Sequence, residues 1–192
     1  MKGNNVGITK TLLIIMVIAL MVGLSAACGE SPAVAELSED EVLKLYNKAR
    51  EAYEWFDMTT IPFDGGSYID VDGIQFCEVI QPGIDSKQAL SDYLNEFFID
   101  DITEDLMTAS SDRYIEYEGK LYVLPADRGT DTYKGEESYE VDRISEEQIK
   151  LTVTVEIYDD FDEQNVIDYE QYDFFLEYSD GRWRFKNFEL VR

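Results

Sequence analysis

Ile149, Leu151, Val153, Val155 and Ile157 alternate without a break with Gln148, Lys150, Thr152, Thr154 and Glu156. A period of two places all five apolar side chains on one face, so the segment has to be an antiparallel strand with one buried and one wet side. The same period holds from residue 113 onward. Tyr117-Glu118-Gly119-Lys120 and Tyr178-Ser179-Asp180-Gly181-Arg182 supply hairpin turns, Asp-Gly being a strong short-range signal. In the last strand Trp183 and Phe185 are odd-numbered while Phe188 and Leu190 are even. That change predicts a bulge near Lys186 or Asn187, bending the strand while keeping both pairs on one face.

Earlier in the chain the period is helical. Ser38 and Glu41 form a capping box, and Val42, Leu45, Ala49, Ala52, Tyr53 and Phe56 make an apolar stripe to about residue 56. Pro62 and Gly65-Gly66 mark residues 59–66 as a loop before extended segments at 67–71 and 74–80. Asp85 is expected to cap a second helix bearing Leu90, Tyr93, Leu94 and Phe97, and Asp101 with Glu104 to cap a third at 101–107. Helices followed by strands imply a single α+β domain over residues 38–192. Its expected form is N-terminal helices packed on a curved antiparallel β-meander of the cystatin or NTF2-like type.

Of the 16 Lys and Arg, Lys2 and Lys10 fall in the first 27 residues, which contain none of the 41 Asp and Glu. From residue 28 on, 14 basic side chains face 41 acidic ones, a net charge of −27. Such a surface repels phosphate backbones, which excludes nucleic acid as a partner. It also repels anionic head groups, so any membrane attachment must be covalent or hydrophobic. Without a single His, the Ser-His-Asp and Cys-His catalysts and His-containing metal sites are absent. No enzyme and no cofactor is expected. Cys77, inside the extended segment 74–80, lacks the base or cationic neighbours that generate a thiolate and reads as a small core residue. Asp70-Val71-Asp72-Gly73 is only a fragment of a calcium-loop spacing, and no metal site is assigned.

Thr11 to Leu24 is uncharged, follows Lys2 and Lys10, and runs into Ser25-Ala26-Ala27. These are the three regions of a secretory signal over residues 1–27; the apolar run is shorter than the ~20 residues of a membrane span. Leu24-Ser25-Ala26-Ala27-Cys28 resembles a bacterial lipoprotein box, which implies acylation of Cys28 and a tether over residues 28–37. Ser25 stands where such boxes prefer an aliphatic residue, and Ser25 with Ala27 also suits ordinary cleavage, so simple secretion is the alternative. The expected location is extracytoplasmic, on the outer face of the cytoplasmic membrane as a lipoprotein or released from it.

Several longer strings carry a family likeness. Glu51-Ala52-Tyr53-Glu54-Trp55-Phe56, Leu90-x-x-Tyr93-Leu94-x-x-Phe97-Phe98 running into Ile102-x-x-x-Leu106, Tyr114-Ile115-Glu116-x-x-Gly119-Lys120-Leu121-Tyr122-Val123, and Ala126-Asp127-Arg128-Gly129 resemble the IseA family. Its members are exported inhibitors of D,L-endopeptidases, the NlpC-type cysteine hydrolases that cut peptidoglycan stem peptides. The resemblance implies a protein inhibitor with a cell-wall D,L-endopeptidase as partner, seated in the hydrolase groove. That groove must accept the free carboxylate of D-glutamate, so an acidic loop could occupy its donor-rich subsite.

Two loops qualify, Pro125 to Gly135 and Asp159 to Asn165, both expected to join strands at one edge of the meander. The candidate contacts are Asp127, Arg128, Gly129, Asp131, Tyr133, Asp160 and Asp162. Each has a plainer reading: a loop fixed by its own Asp127–Arg128 pair with Gly129 at positive φ, and a solvated acidic hairpin tip. Arg182, Arg184, Lys186 and Arg192 are expected to face Asp173 and Glu177 across the last hairpin. The competing function is an NTF2-like module that takes a small ligand or an envelope component between sheet and helices. The crowd of inward Phe, Tyr, Leu and Trp favours a filled core instead.

Overall fold

Helix α1 (Glu39–Asp57) begins at the predicted capping box: the Ser38 hydroxyl accepts from Glu41 N, and the Glu41 carboxylate accepts from Ser38 N at 2.8 Å. A computed structural model of the chain describes residue 34, residues 36–159 and residues 162–192, without the side chains of 162–164. Residues 1–27, Cys28 and residues 29–33 and 35 of the expected tether lie outside the described residues. Val42, Tyr46, Ala49, Ala52 and Trp55 are the buried residues of α1, with Leu45, Tyr53 and Phe56 packed at the margins. The expected stripe therefore shifts by part of a turn, because helical spacing offers two overlapping stripes and the larger buried surface wins. Tyr46 and Trp55 have rings to meet on both sides of the helix.

The strands, numbered in chain order, divide between two antiparallel sheets. β1 (Phe63–Val71), β2 (Ile74–Val79), β3 (Tyr114–Tyr117) and β4 (Lys120–Val123) form the first, in the order β1-β2-β4-β3. β5 (Lys134–Ser145), β6 (Gln148–Asp159), β7 (Asp162–Ser179) and β8 (Arg182–Phe185) form the second as a plain meander. Helices α2 (Lys87–Leu94) and α3 (Asp100–Ala109) lie between β2 and β3 in sequence. The architecture is α+β as predicted, but the strands after residue 113 are shared between the two sheets. Three hairpins turn through paired left-handed residues: Asp72-Gly73, Glu118-Gly119 and Asp180-Gly181. The first of these is the calcium-loop fragment, now a turn in which Gly73 N donates to Asp70 Oδ1 at 2.9 Å.

Four boundaries differ from expectation. β1 starts at Phe63, because Gly65-Gly66-Ser67 is absorbed as a bulge between the Asp64–Glu78 and Tyr68–Cys77 pairs, where glycine is tolerated. Ser86, not Asp85, caps α2, its hydroxyl accepting from Ala89 N at 3.1 Å. α3 has Ile99 at its cap with no side-chain bond, and Asp101 lies inside the helix. The backbone before α3 is committed to the free edge of β8, with Phe185 N on Phe97 O at 2.7 Å and Ile99 N on Phe185 O at 3.1 Å. β8 itself ends at Phe185 without the predicted bulge. Beyond it the Asn187 amide imitates a strand residue, accepting from Phe175 N at 2.8 Å and donating to Asp173 O at 2.7 Å.

Helix α1 contacts both sheets. The Tyr46 ring meets Phe174 at 5.4 Å, Phe188 at 5.8 Å and Phe185 at 6.4 Å, over the second sheet. Near its other end Trp55 stacks on Tyr93 of α2 and Phe56 packs on Tyr114 of β3, each at 5.5 Å. Ile149, Leu151, Val153 and Val155 are buried as their alternation requires, and Cys77 is a buried free thiol on β2.

Candidate functional site

An α-helix leaves its last carbonyls without partners in the helix, and α1 has no basic residue in its last turn to offset the negative end of the dipole. Later parts of the chain supply both needs. The buried Tyr114 hydroxyl donates to Trp55 O at 3.2 Å, and burial pushes its pKa up to about 12. Arg128 N donates to Met58 O at 3.0 Å, and one arm of the Arg113 guanidinium donates to Thr59 O at 2.7 Å.

This end of α1 is crossed by the connection from β4 to β5, which passes from the first sheet to the second. Residues 125–133 of that connection are all exposed. Its first half is tied down repeatedly. Arg113 donates to Leu124 O at 3.3 Å and Ala126 O at 2.7 Å, as well as to Thr59 O and the Thr60 hydroxyl. The Thr60 hydroxyl accepts from Ala126 N at 3.0 Å and lies 3.3 Å from Asp127 Oδ1. Arg128 makes a two-pronged contact with Asp57, the last residue of α1, with Nε 3.1 Å from Oδ1. That bond, opposed by burial and helped by the charges of Arg128 and Arg113, holds the Asp57 carboxyl below its usual pKa.

The second half closes on the other sheet. Gly129 has φ +52°, and Asp131 turns the chain by accepting from Tyr133 N at 3.0 Å. Tyr133 O accepts from Tyr158 N at 2.8 Å, and the Tyr158 ring lies so close over Gly135 that a Cβ there would meet it at 2.3 Å. Arg192 then donates to Gly135 O at 2.6 Å and to Glu137 Oε1 at 2.8 Å. Glu137, almost wholly buried, also takes Arg50 at 3.1 Å and the Tyr139 hydroxyl at 2.6 Å. Arg50, Glu54, Thr130, Glu137, Tyr139 and Arg192 border a cleft of about 460 Å³ beside the loop. Burial raises the pKa of Glu54 there, with Glu51 and Glu137 adding to the shift and Arg50 opposing it.

Asp127, Arg128, Gly129, Asp131 and Tyr133 thus lie on one exposed run fastened at both ends, and Tyr133 is 48% exposed. The internal Asp127–Arg128 pair is replaced by Arg128–Asp57 and Asp127–Thr60, because the end of α1 offers a better-placed carboxylate. The loop bridges two sheets and does not join neighbours in the meander. Asp162 is the first residue of β7 and pairs with Asp159, so the expected 159–165 loop is mostly strand. Asp160 lies outside the described residues. The pairing of Lys134 with Ile157 puts the base of the loop beside the β6–β7 end. Lys186 faces Glu177 at 2.8 Å as expected, whereas Arg184 goes to Asp100 and Asp180 and Arg192 to Glu137. Asp173 is bound by Thr152.

Sequence reading missed Arg113, Thr60 and Asp57. The bonds that tie Arg113 to Thr59 and Thr60, Thr60 to Ala126 and Asp127, and Asp57 to Arg128 span 53 to 71 residues, and no local spacing announces them. Among the described residues no three Cys, Asp or Glu side chains converge as metal ligands would. No curated protein matches the chain. The family model described as IseA DL-endopeptidase inhibitor matches residues 33–189, which take in every helix and strand among the described residues, and the chain belongs to that family.

Proposed function

We propose that the domain is a stoichiometric protein inhibitor of NlpC-type cell-wall D,L-endopeptidases, blocking their substrate groove without catalytic chemistry of its own. The observation that carries this reading is the exposed run 125–133, which bears Asp127 and Asp131 and is held at one end to α1 and at the other to the second sheet. A fixed loop loses little conformational freedom on docking, which is what a tight inhibitor needs. Asp127 and Asp131 would take the donors that normally meet the stem-peptide carboxylate, and Tyr133 would supply a rigid apolar anchor. The acidic residues Asp160 and Asp162 at the β6–β7 end would extend the contact. Titrating a purified D,L-endopeptidase acting on peptidoglycan with the chain from Cys28 onward should abolish activity near one equivalent. Asp127→Asn with Asp131→Asn should weaken inhibition about tenfold or more; unchanged inhibition would remove both residues from the contact.

The likeness of residues 24–28 to a lipoprotein box supports export and acylation on Cys28, which would confine inhibition to the membrane-proximal wall. Detergent-phase partitioning that survives Cys28→Ala would sink that part of the reading. A cystatin- or NTF2-like arrangement, the second sheet curving around α1, accords with the rings of Tyr46, Phe174, Phe185 and Phe188 filling the space between them.

A further inference from the structure

We infer that Arg113 and the Asp57–Arg128 pair are positioning residues that set the shape of the inhibitory loop, and that Arg128 acts as a strut rather than a contact with the hydrolase. The inference rests on the inhibitor reading for its consequence, but its structural half stands alone. One guanidinium, Arg113, is engaged by three carbonyls and a hydroxyl drawn from two different loops, those of Thr59, Leu124, Ala126 and Thr60. Nη2 shares its two hydrogens among Thr59 O, Ala126 O and the Thr60 hydroxyl while Nε takes Leu124 O, and a lysine ammonium, with one nitrogen, cannot serve both places at once. Arg128 is likewise anchored: its Nε and Nη2 are on Asp57, and its backbone N–H is on Met58 O. To move away from the end of α1 the side chain has to break that two-pronged ion pair, so its bonds hold the loop whatever its remaining outward donors meet.

The consequence follows from where these bonds fall. They fix residues 124–128 against the end of α1, so the chain leaves that anchorage at Gly129 in one direction only. Asp127 on the anchored side and Asp131 on the free side are thereby held in a set relation to each other. Loss of the fastening lets the loop sample other shapes, and docking then has to reorder it. Inhibition should weaken although no group that touches the hydrolase has changed.

The test uses the chain from Cys28 onward, an NlpC-type D,L-endopeptidase on peptidoglycan, and amide hydrogen exchange on the free inhibitor. Arg113→Ala, Arg113→Lys and Arg128→Ala should each raise the inhibition constant about tenfold. They should also speed exchange at Ala126 and Arg128 while leaving Tyr158 N, at the other end of the loop, protected. The charge swap Asp57→Arg with Arg128→Asp should restore inhibition to within about threefold of the parent, since it rebuilds the strut with the charges exchanged. A swap as weak as Arg128→Ala would overturn the strut and make Arg128 a contact. Full activity of Arg113→Lys would overturn the geometric role of Arg113, and unchanged exchange in Arg113→Ala would overturn the fastening itself. A parent chain that inhibits no such hydrolase would overturn the inhibitor reading, and the exchange measurement would still decide the fastening.

Discussion

Glu137 is the acidic side chain with most at stake in the second sheet. Its side chain is 4% exposed and is held by Arg50, Arg192 and the Tyr139 hydroxyl, while the two arginines keep 33% and 39% of their side-chain surface in water. Removing the carboxylate leaves two guanidiniums facing each other across a vacated site, and solvent can relieve only part of that. Full burial of the partners would suggest a loss of 3–5 kcal/mol, and their partial exposure lowers the expectation to about 2 kcal/mol. Urea unfolding of Glu137→Ala should show that loss, and a change below about 0.5 kcal/mol would mean that the arginines find other partners at no cost. Nothing in the sequence singled out this residue among 41 acids, because its two arginine partners lie 87 and 55 positions away. The same distance problem hid Arg113 and Asp57, whereas Cys77 was legible as core from its place in an apolar run.

At the scale of elements, features set within a few residues were legible, and those decided by remote packing were not. The Ser38–Glu41 box, the turns at Glu118-Gly119 and Asp180-Gly181 and the alternation in β6 are local chemistry and came out as read. The division of eight strands into two sheets, the missing cap of α3 and the end of β8 depend on which edge each segment meets. Two substitutions separate these cases. Ser38→Ala should destabilise by about 1 kcal/mol, as loss of a helix cap does, and fray only the first turn of α1. Asn187→Ala removes both side-chain bonds that prolong the sheet beyond Phe185, one to Phe175 N and one to Asp173 O. It should cost about 1–2 kcal/mol and speed amide exchange at Phe175 selectively. Equal protection of Phe175 in the variant would show that the Asn187 amide contributes nothing to the sheet.

For the whole molecule the dominant quantity is charge, a net of −27 from residue 28 on, and its effect on stability reverses with pH. At pH 7 the carboxylates repel one another, which disfavours the compact state. Lowering the pH protonates ordinary carboxylates first and relieves that repulsion on the way to the sequence pI of 4.1. Glu54, raised by burial, works the same way: its contribution is complete when it is protonated and is lost as pH rises through its native value. Glu41, Asp57, Glu78 and Glu170 act in the opposite sense. Hydrogen bonds from Ser38, Arg128, Lys120 and Tyr172 respectively hold them below their usual values, so their stabilisation is present above the unfolded pKa and disappears as pH falls through the native one. The two trends cross where ordinary carboxylates are partly neutral and these four are still charged. The melting temperature should therefore climb from pH 7.5 to about 5 and fall below about 3.5. Salt should separate the causes. Adding NaCl at pH 7.5 should raise the melting temperature by screening repulsion, with little effect near the pI, while slowing association with a D,L-endopeptidase of opposite charge in its groove by about tenfold between 50 and 500 mM. A melting temperature that drops with salt at pH 7.5 would mean that specific pairs such as Arg50–Glu137–Arg192 and Asp100–Arg184–Asp180 outweigh the net charge, and the acidic surface would then owe its composition to partner attraction alone.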